Sequence, residues 1–259
     1  MLKLLLIFCA LSPVLAENTK VAATHPQVIK VIDQMSKIYS WPVSGQKAID
    51  LKGSPHSYKP SMKDLKNLMG LKFLVAGPTK HQKWLLKAKS QLPKKTHFLA
   101  ASSSEHFWLN TDEACKREEE IVNLFIKWKL VKEYQGRKNK WCLSLKERMV
   151  ELKNALHEQR VTHVILAHNA LEAQLKKMGF KVLVLLDDDH HSEITSSVLK
   201  KALSWQSTKK IKEGLLQVKE PEIYWPSPLN HIEIRSISWS PLSDKPLMDF
   251  VQAIAKDKK

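Results

Sequence analysis

The sequence predicts an α/β protein of two lobes, each built on a mostly parallel sheet, joined by a long linking helix and facing one another across a ligand cleft. Three observations predict it. Short β-rich runs alternate with helical patterns in the first hundred residues and again after residue 160, and such alternation is the mark of a parallel sheet covered by helices. Two long helical patterns separate those regions. No Gly/Ser linker or low-complexity tract occurs, and only 7 glycines are present, so the halves are not joined by a loose hinge.

The elements follow in order. "KVAAT" (20–24) reads as a strand, and 26–39 as a helix with Val28, Ile29, Val31, Ile32 and Met35 on one side. Strands at 72–77 and 96–102 are accompanied by helices at 61–69 and 80–90. Ser61 with Asp64 three residues later forms a capping-box pattern. Asn110 with Glu113 caps the first long helix, which turns Ile121, Leu124, Phe125 and Trp128 inward. "YQGRKNK" breaks it, and a second helix near 140–158 presents Leu145, Met149, Leu152 and Leu156 at spacings of four, three and four. Then come strand 161–167, helix 169–178, strand 180–186 and helix 193–205. Strands around 222–225 and 233–239 and a helix at 245–255 close the chain. The expected division is a leader at 1–16, a first lobe at 17–135, the linking helix at 136–159 and a second lobe at 160–259.

The first residues carry one lysine, an apolar run from Leu4 to Leu11, a Ser-Pro break, and small residues Val14 and Ala16. That is the layout of a cleaved secretory signal peptide, and the run is too short to span a bilayer. Cleavage is expected after Ala16, giving an exported, periplasmic protein. Of the 3 cysteines, Cys9 falls in the leader. An oxidising compartment permits a bridge between Cys115 and Cys142. Each lies near the start of a predicted helix, however, and in an antiparallel hairpin those starts are about 25 Å apart. No bridge is expected on that geometry.

The formal charge of +16 raises nucleic acid as a partner. The lysines are spread over nearly every segment, with acids interleaved as in "EACKREEE", and no nucleic-acid motif occurs. The charge reads as a solvated surface, suited to anionic lipid or cell wall, and nucleic acid is not expected as a partner.

Ligands of open α/β sheets sit beyond the carboxyl ends of the strands. His56 lies in a loop of the first lobe before a helix, His106 follows the strand at 96–102, and His168 ends the strand at 161–167. Three imidazoles converging at such positions suit zinc. "DDDHHSE" (187–193) also follows a strand directly. His190 is a further candidate there, set against the plain reading of a polar turn.

"GSPHSYKPSMKDLKNL" resembles the GxDPHxYxPxPxDxxxL segment of the metal-binding proteins of ABC-type zinc and manganese importers, the cluster A-I solute-binding proteins. "EHFWLNTDEA" resembles that family's PHVWLDPxNA segment, and "LAHNALEAQLKKMGF" its FHDAxGYFAxxYGL segment. The resemblance runs over essentially the whole mature chain. It implies that His56, His106 and His168 are the first three metal ligands. It also implies a zinc-type member, because histidine stands at the third place where manganese binders carry Glu.

This chain departs from the pattern in several places. The family's fourth ligand, an Asp near the C-terminus, is Ser240 here, and Asp244 lies four residues on as a substitute candidate. Gln82 stands for an acid ahead of Trp84, Ser54 for the Asp before the first ligand, and Asn169 for the Asp after the third. The family's His-rich loop is reduced to "KHQK", where His81 reads as a surface residue, and the other histidines read as structural.

The function so implied is a monomeric, non-enzymatic solute-binding protein. It captures zinc, with manganese the weaker candidate, and hands it to the transmembrane subunits of an ABC-type permease. Imidazoles protonate near pH 6–7, so acid should release the ion. Two other functions stand beside it. One is a divergent relative that sequesters metal or binds another protein, which the loss of the Asp at Ser240 favours. The other is a zinc hydrolase, for which no HExxH-like arrangement is present.

Overall fold

The structure is a computed structural model describing residues 18–51, 58–78, 82–99, 106–132, 139–186, 194–221, 225–229, 234–241, 243 and 245–256. The first lobe contains β1 (Thr19–Ala23), α1 (Pro26–Tyr39), β2 (Val43–Lys47), α2 (Met62–Met69), β3 (Phe73–Val75), α3 (Lys83–Lys89) and β4 (His97–Leu99). Two long helices follow, α4 (Thr111–Lys127) and α5 (Lys140–Glu158). The second lobe contains β5 (His163–His168), α6 (Glu172–Lys177), β6 (Lys181–Leu186), α7 (Ser196–Ser207), α8 (Lys209–Lys212), β7 (Leu215–Lys219), β8 (Arg235–Ser238) and α9 (Pro246–Lys256).

Each lobe holds one four-stranded sheet, ordered β2-β1-β3-β4 and β6-β5-β7-β8, and every pairing is parallel. The two orders are the same when read lobe by lobe. In each, the strand order reverses beside the lobe's first strand, between β1 and β3 and between β5 and β7, which is where such sheets bind ligands.

Side chains alternate across each strand, so each sheet packs two cores. Val21 and Ala23 of β1 face the same apolar cluster as Val164 and Leu166 of β5 and Leu216 and Val218 of β7. That cluster runs without a break between the lobes through α1, α4, α5 and α9. The opposite faces pack separately: Ala22 and Leu74 on Leu68 and Leu85, and Ile165 and Leu183 on Ala202 and Leu229. A shared interior resists wide opening, because parting the lobes would expose apolar surface at about 25 cal/mol per Å².

α5 packs against α1, α4 and α9. Leu145, Met149, Leu152 and Leu156 form its buried stripe, as their spacing predicts. The Ser61–Asp64 capping box is formed, and Asn110 caps α4 by accepting from the N–H groups of Asp112 and Glu113.

The expected absence of a bridge is overturned, because a disulfide joins Cys115 to Cys142 with Cα atoms 4.9 Å apart. An antiparallel hairpin would put the start of α5 at the far end of α4. Instead the chain returns, and α5 begins beside the first turns of α4. The buried carboxylate of Glu118 accepts there from the N–H groups of Trp141 (2.9 Å) and Cys142 (2.8 Å) and from the Tyr39 hydroxyl (2.5 Å). A carboxylate from one helix thus caps the N-terminus of the other, where the free N–H groups and the dipole favour negative charge.

Two strands differ from expectation. β2 falls in a stretch where no strand is expected. The strand expected around 222–225 is β7, at Leu215–Lys219, while 222–224 lie outside the described residues. "EIYW" has the higher intrinsic strand propensity, but "LLQVK" can fill the slot between β5 and β8 with Leu216 and Val218 on one core and Leu215 on the other. Burial on both faces outweighs propensity.

Candidate metal site

β5 and β7 pair in register with Ile165 opposite Gln217 and Leu166 opposite Val218. Two residues further along each strand come His168 and Glu220. By alternation both point to the face that Leu166 and Val218 occupy, toward the other lobe. Both are buried, at 4% and 9% exposure. The Glu220 carboxylate takes the Nδ1 side of His168. A buried imidazole held through Nδ1 by a carboxylate keeps its proton there and presents Nε2 as the lone-pair nitrogen.

His106 comes from the first lobe. It opens the 3-10 turn Phe107–Leu109, whose three side chains are buried and anchor it in the shared core. Its Nε2 lies 3.4 Å from Nε2 of His168, with the ring centroids 5.1 Å apart and the planes at 68°. The Trp108 ring stands edge-on to His106 at 5.6 Å and tilts against His25 at 5.0 Å. His25 in turn caps α1, its Nδ1 accepting from the N–H of Gln27.

Near this pair, the carboxyl ends of β1 and β3 are tied by Gln82. Its Nε2 donates to the Thr24 carbonyl (2.8 Å), and its Oε1 accepts from the Gly77 N–H (3.2 Å) and from the Thr24 hydroxyl. A Cβ on Gly77 would lie 2.6 Å from that of His25, so only glycine fits. Gln82, which occupies the place of an acid in the resembling family, is therefore 2% exposed and engaged in holding two strand ends together.

The structure thus brings together His106 and His168 of the sequence candidates. His56, His190 and Asp244 lie outside the described residues, as does His81. Among the described residues, no group of three or more His, Cys, Asp or Glu side chains is arranged to hold a metal ion.

Glu220, the partner of His168, is the residue of this candidate site that the sequence patterns do not single out. Its signal is the alternation Leu216, Val218, Glu220, which becomes visible once the strand is placed at 215–219. His97, His157 and His163 lie in structural settings. His97 stacks on Phe73 at 5.2 Å, and His157 lies against Phe180 at 5.2 Å. His163 bonds the Thr162 hydroxyl at 2.9 Å and stands edge-on to Trp205 at 4.9 Å. Burial, helped by the nearby Lys181 charge, pushes its pKa below the usual imidazole value. Among the described residues, no helix is long and apolar enough to cross a membrane.

No family model matches the sequence, and no curated protein matches it by sequence. Solved structures do match. The Streptococcus pneumoniae AdcAII protein superposes with a TM-score of 0.71 at 15% identity, covering 93% of this chain and 97% of that one. A 138–173 deletion mutant of ZnuA, crystallised with zinc bound, gives 0.69 at 15% identity over 92% and 96%. A manganese-bound serine-to-alanine mutant of a periplasmic metal binding protein from Candidatus Liberibacter asiaticus gives 0.66 at 15% identity over 91% and 99%. The chain therefore has, over nearly its whole length, the two-lobed fold of these proteins.

Proposed function

We propose that this chain is an exported binding protein that captures a divalent metal ion between its lobes, zinc in preference to manganese, and delivers it to the membrane subunits of an ABC-type importer. The observation that carries the reading is the 3.4 Å between the Nε2 atoms of His106 and His168. Two nitrogens bound at about 2.0–2.1 Å to one tetrahedral ion are roughly 3.3–3.4 Å apart. One histidine comes from each lobe, and Glu220 fixes the tautomer that the site needs. The fold supports the reading, since the structures that share it include one with zinc bound and one with manganese bound. Two imidazoles favour zinc over the harder manganese ion.

His56 is proposed as the third ligand, with His190 or Asp244 as candidates for the fourth. The chemistry is ligand exchange without catalysis, because the Glu220 carboxylate is taken up by His168. Cleavage after Ala16 would leave lobes at 17–135 and 160–259 joined by 136–159, acting as a periplasmic monomer.

Calorimetric titration of the metal-stripped chain from residue 17 onward, with zinc and manganese in parallel, tests this. One zinc per chain is expected, with manganese weaker by roughly 100-fold or more. Equal affinity for the two ions would overturn the preference, and binding of neither would overturn the function.

A further inference from the structure

The two lobes share a sheet topology but not a charge. From β2 to β4, residues 43–99 hold 12 lysines, no arginine and 2 acids. The matching run of the second lobe, from β6 to β8 at 181–238, holds 8 basic residues and 8 acids. The first stretch thus carries +10 of the chain's +16, and its counterpart carries no net charge. Ten of its lysines are described, and all ten are exposed. Of its acids, Asp64 is buried in the capping box of α2, and Asp50 is exposed.

Helices α2 and α3 gather much of this charge on one surface. Leu68 of α2 and Leu85 of α3 pack on the same face of the first sheet, the face opposite the shared core, and the Tyr58 and Trp84 rings meet at 6.1 Å. The outer sides of the two helices therefore form one surface. On α2 it presents Met62, Lys66 and Met69, aligned by spacings of four and three, with Lys63 beside them. On α3 it presents Lys83, Leu86, Lys87 and Lys89. Among the described residues, none of these five lysines is in an ion pair. Met62 is 70% exposed, Leu86 50% and Met69 45%. They are three of the five large apolar side chains exposed among the described residues, so the most basic surface is also the one that offers the most apolar side chains to solvent.

We infer that the outer face of α2 and α3 docks the first lobe on an anionic phospholipid bilayer, its lysines among the headgroup phosphates and Met62, Met69 and Leu86 in the headgroup–acyl boundary. Adsorption of that kind grows with the apolar area inserted and with the attraction of basic side chains to anionic lipid. Lysines, as mobile point charges, suit a diffuse sheet of phosphates. A nucleic-acid surface would offer arginine forks and exposed rings for bases to stack on. This face has no arginine, and none of its described Phe, Tyr or Trp residues is exposed.

Vesicle sedimentation of the chain from residue 17 onward tests this, with vesicles of phosphatidylcholine and phosphatidylglycerol in equal parts and vesicles of phosphatidylcholine alone. Binding to the anionic vesicles is expected to be at least roughly ten-fold tighter and to weaken with added salt. Lys63→Glu with Lys66→Glu and Lys87→Glu should weaken it by roughly ten-fold or more, and Met62→Ser with Leu86→Ser by roughly three-fold or more. Lys200→Glu with Lys201→Glu and Lys209→Glu makes the same charge change at exposed positions of α7 and α8, and should leave binding within roughly two-fold. Circular dichroism and melting establish that each variant is folded, and two independent variants of the face keep the test decisive if one is not. No preference for the anionic vesicles, an equal loss from the second-lobe reversal, or unchanged binding in either folded variant of the face would overturn the inference. A DNA duplex bound as tightly as the anionic vesicles would overturn it too, assigning the face to polyanions at large.

Discussion

Glu220 and His168 are partners because β5 and β7 run parallel in register, which places them opposite one another two residues beyond the last matched pair, Leu166 and Val218. The sheet itself orients the imidazole, leaving Nε2 of His168 3.4 Å from Nε2 of His106. Removing Glu220 should therefore weaken metal binding without removing a ligand. Glu220→Gln is expected to lower zinc affinity roughly 10- to 100-fold, and His168→Ala by more. Competition with a chelating dye measures both, and unchanged affinity in Glu220→Gln would show that its carboxylate does not tune the site.

The Cys115–Cys142 bridge closes a loop with a sequence separation of 27. On the chain-entropy estimate such a cross-link stabilises by about 3–4 kcal/mol. Urea unfolding with and without reductant should show a loss of that order, and Cys115→Ser with Cys142→Ser should reproduce it in the absence of reductant. Coincident transitions would remove the bridge from the stability of the fold.

Glu118 is fully buried and accepts from Tyr39, Trp141 and Cys142. Glu118→Ala would strand the first N–H groups of α5 and the Tyr39 hydroxyl. The expected destabilisation is about 2–4 kcal/mol by chemical denaturation. Tyr39→Phe removes one donor to Glu118 and also the oxygen that accepts from the Lys140 N–H (3.0 Å) at the start of α5, while the Glu118 contacts to Trp141 and Cys142 stay, so it should cost about 1–2 kcal/mol.

Acid should weaken the fold in two steps. The pKa of His163 is lowered by burial and by Lys181, so the unfolded chain takes up its proton first. Its share of the stability is present above the unfolded value of about 6.5 and declines as pH falls below it. Asp64 comes next. Burial opposes its ionisation, but hydrogen bonds from the Ser61 hydroxyl and the Ser61 N–H, with Tyr58 adding to the effect, outweigh that and bring its pKa down to about 2. Tyr58 is raised in turn, by burial first and then by Asp64. The stabilisation from Asp64 is complete above the ordinary value of 3.8 and is lost as pH falls toward 2. Melting temperatures from pH 8 to pH 2 should therefore fall in both windows, with the lower step reduced in Asp64→Asn. A lower step of full size in that variant would assign it to other groups.

Ser40 closes α1 in the left-handed region, with φ 54°. A side chain is strained there and glycine is not. Ser40→Gly should raise stability by roughly 0.5–1 kcal/mol, read as a higher urea midpoint, whereas a lower midpoint would show that the serine side chain contributes more than the strain removes.

The elements are legible in the sequence where hydrophobic period and caps agree. Helix α1 runs from Pro26 to Tyr39 as the apolar spacing requires, and the buried stripe of α5 is the one its leucines predict. Two features are not legible, because each depends on a partner distant in sequence. Strand β7 is chosen by the slot beside β5, against the stronger local propensity of "EIYW", and Glu220 is hidden with it. The Cys115–Cys142 bridge depends on the return of the chain after α4, a path that helix lengths do not specify. The nearness of His106 to His168 is legible because each stands at the carboxyl-end side of a parallel sheet, one in each lobe, and those sides face each other.

Zinc K-edge X-ray absorption of the loaded chain tests the central claim most directly. The account predicts a nitrogen/oxygen shell at about 2.0–2.1 Å with the outer scattering of imidazole, and loss of two imidazoles from that signal in the His106→Ala, His168→Ala double variant. An imidazole count unchanged in the double variant, or a shell without imidazole in the parent chain, would contradict it.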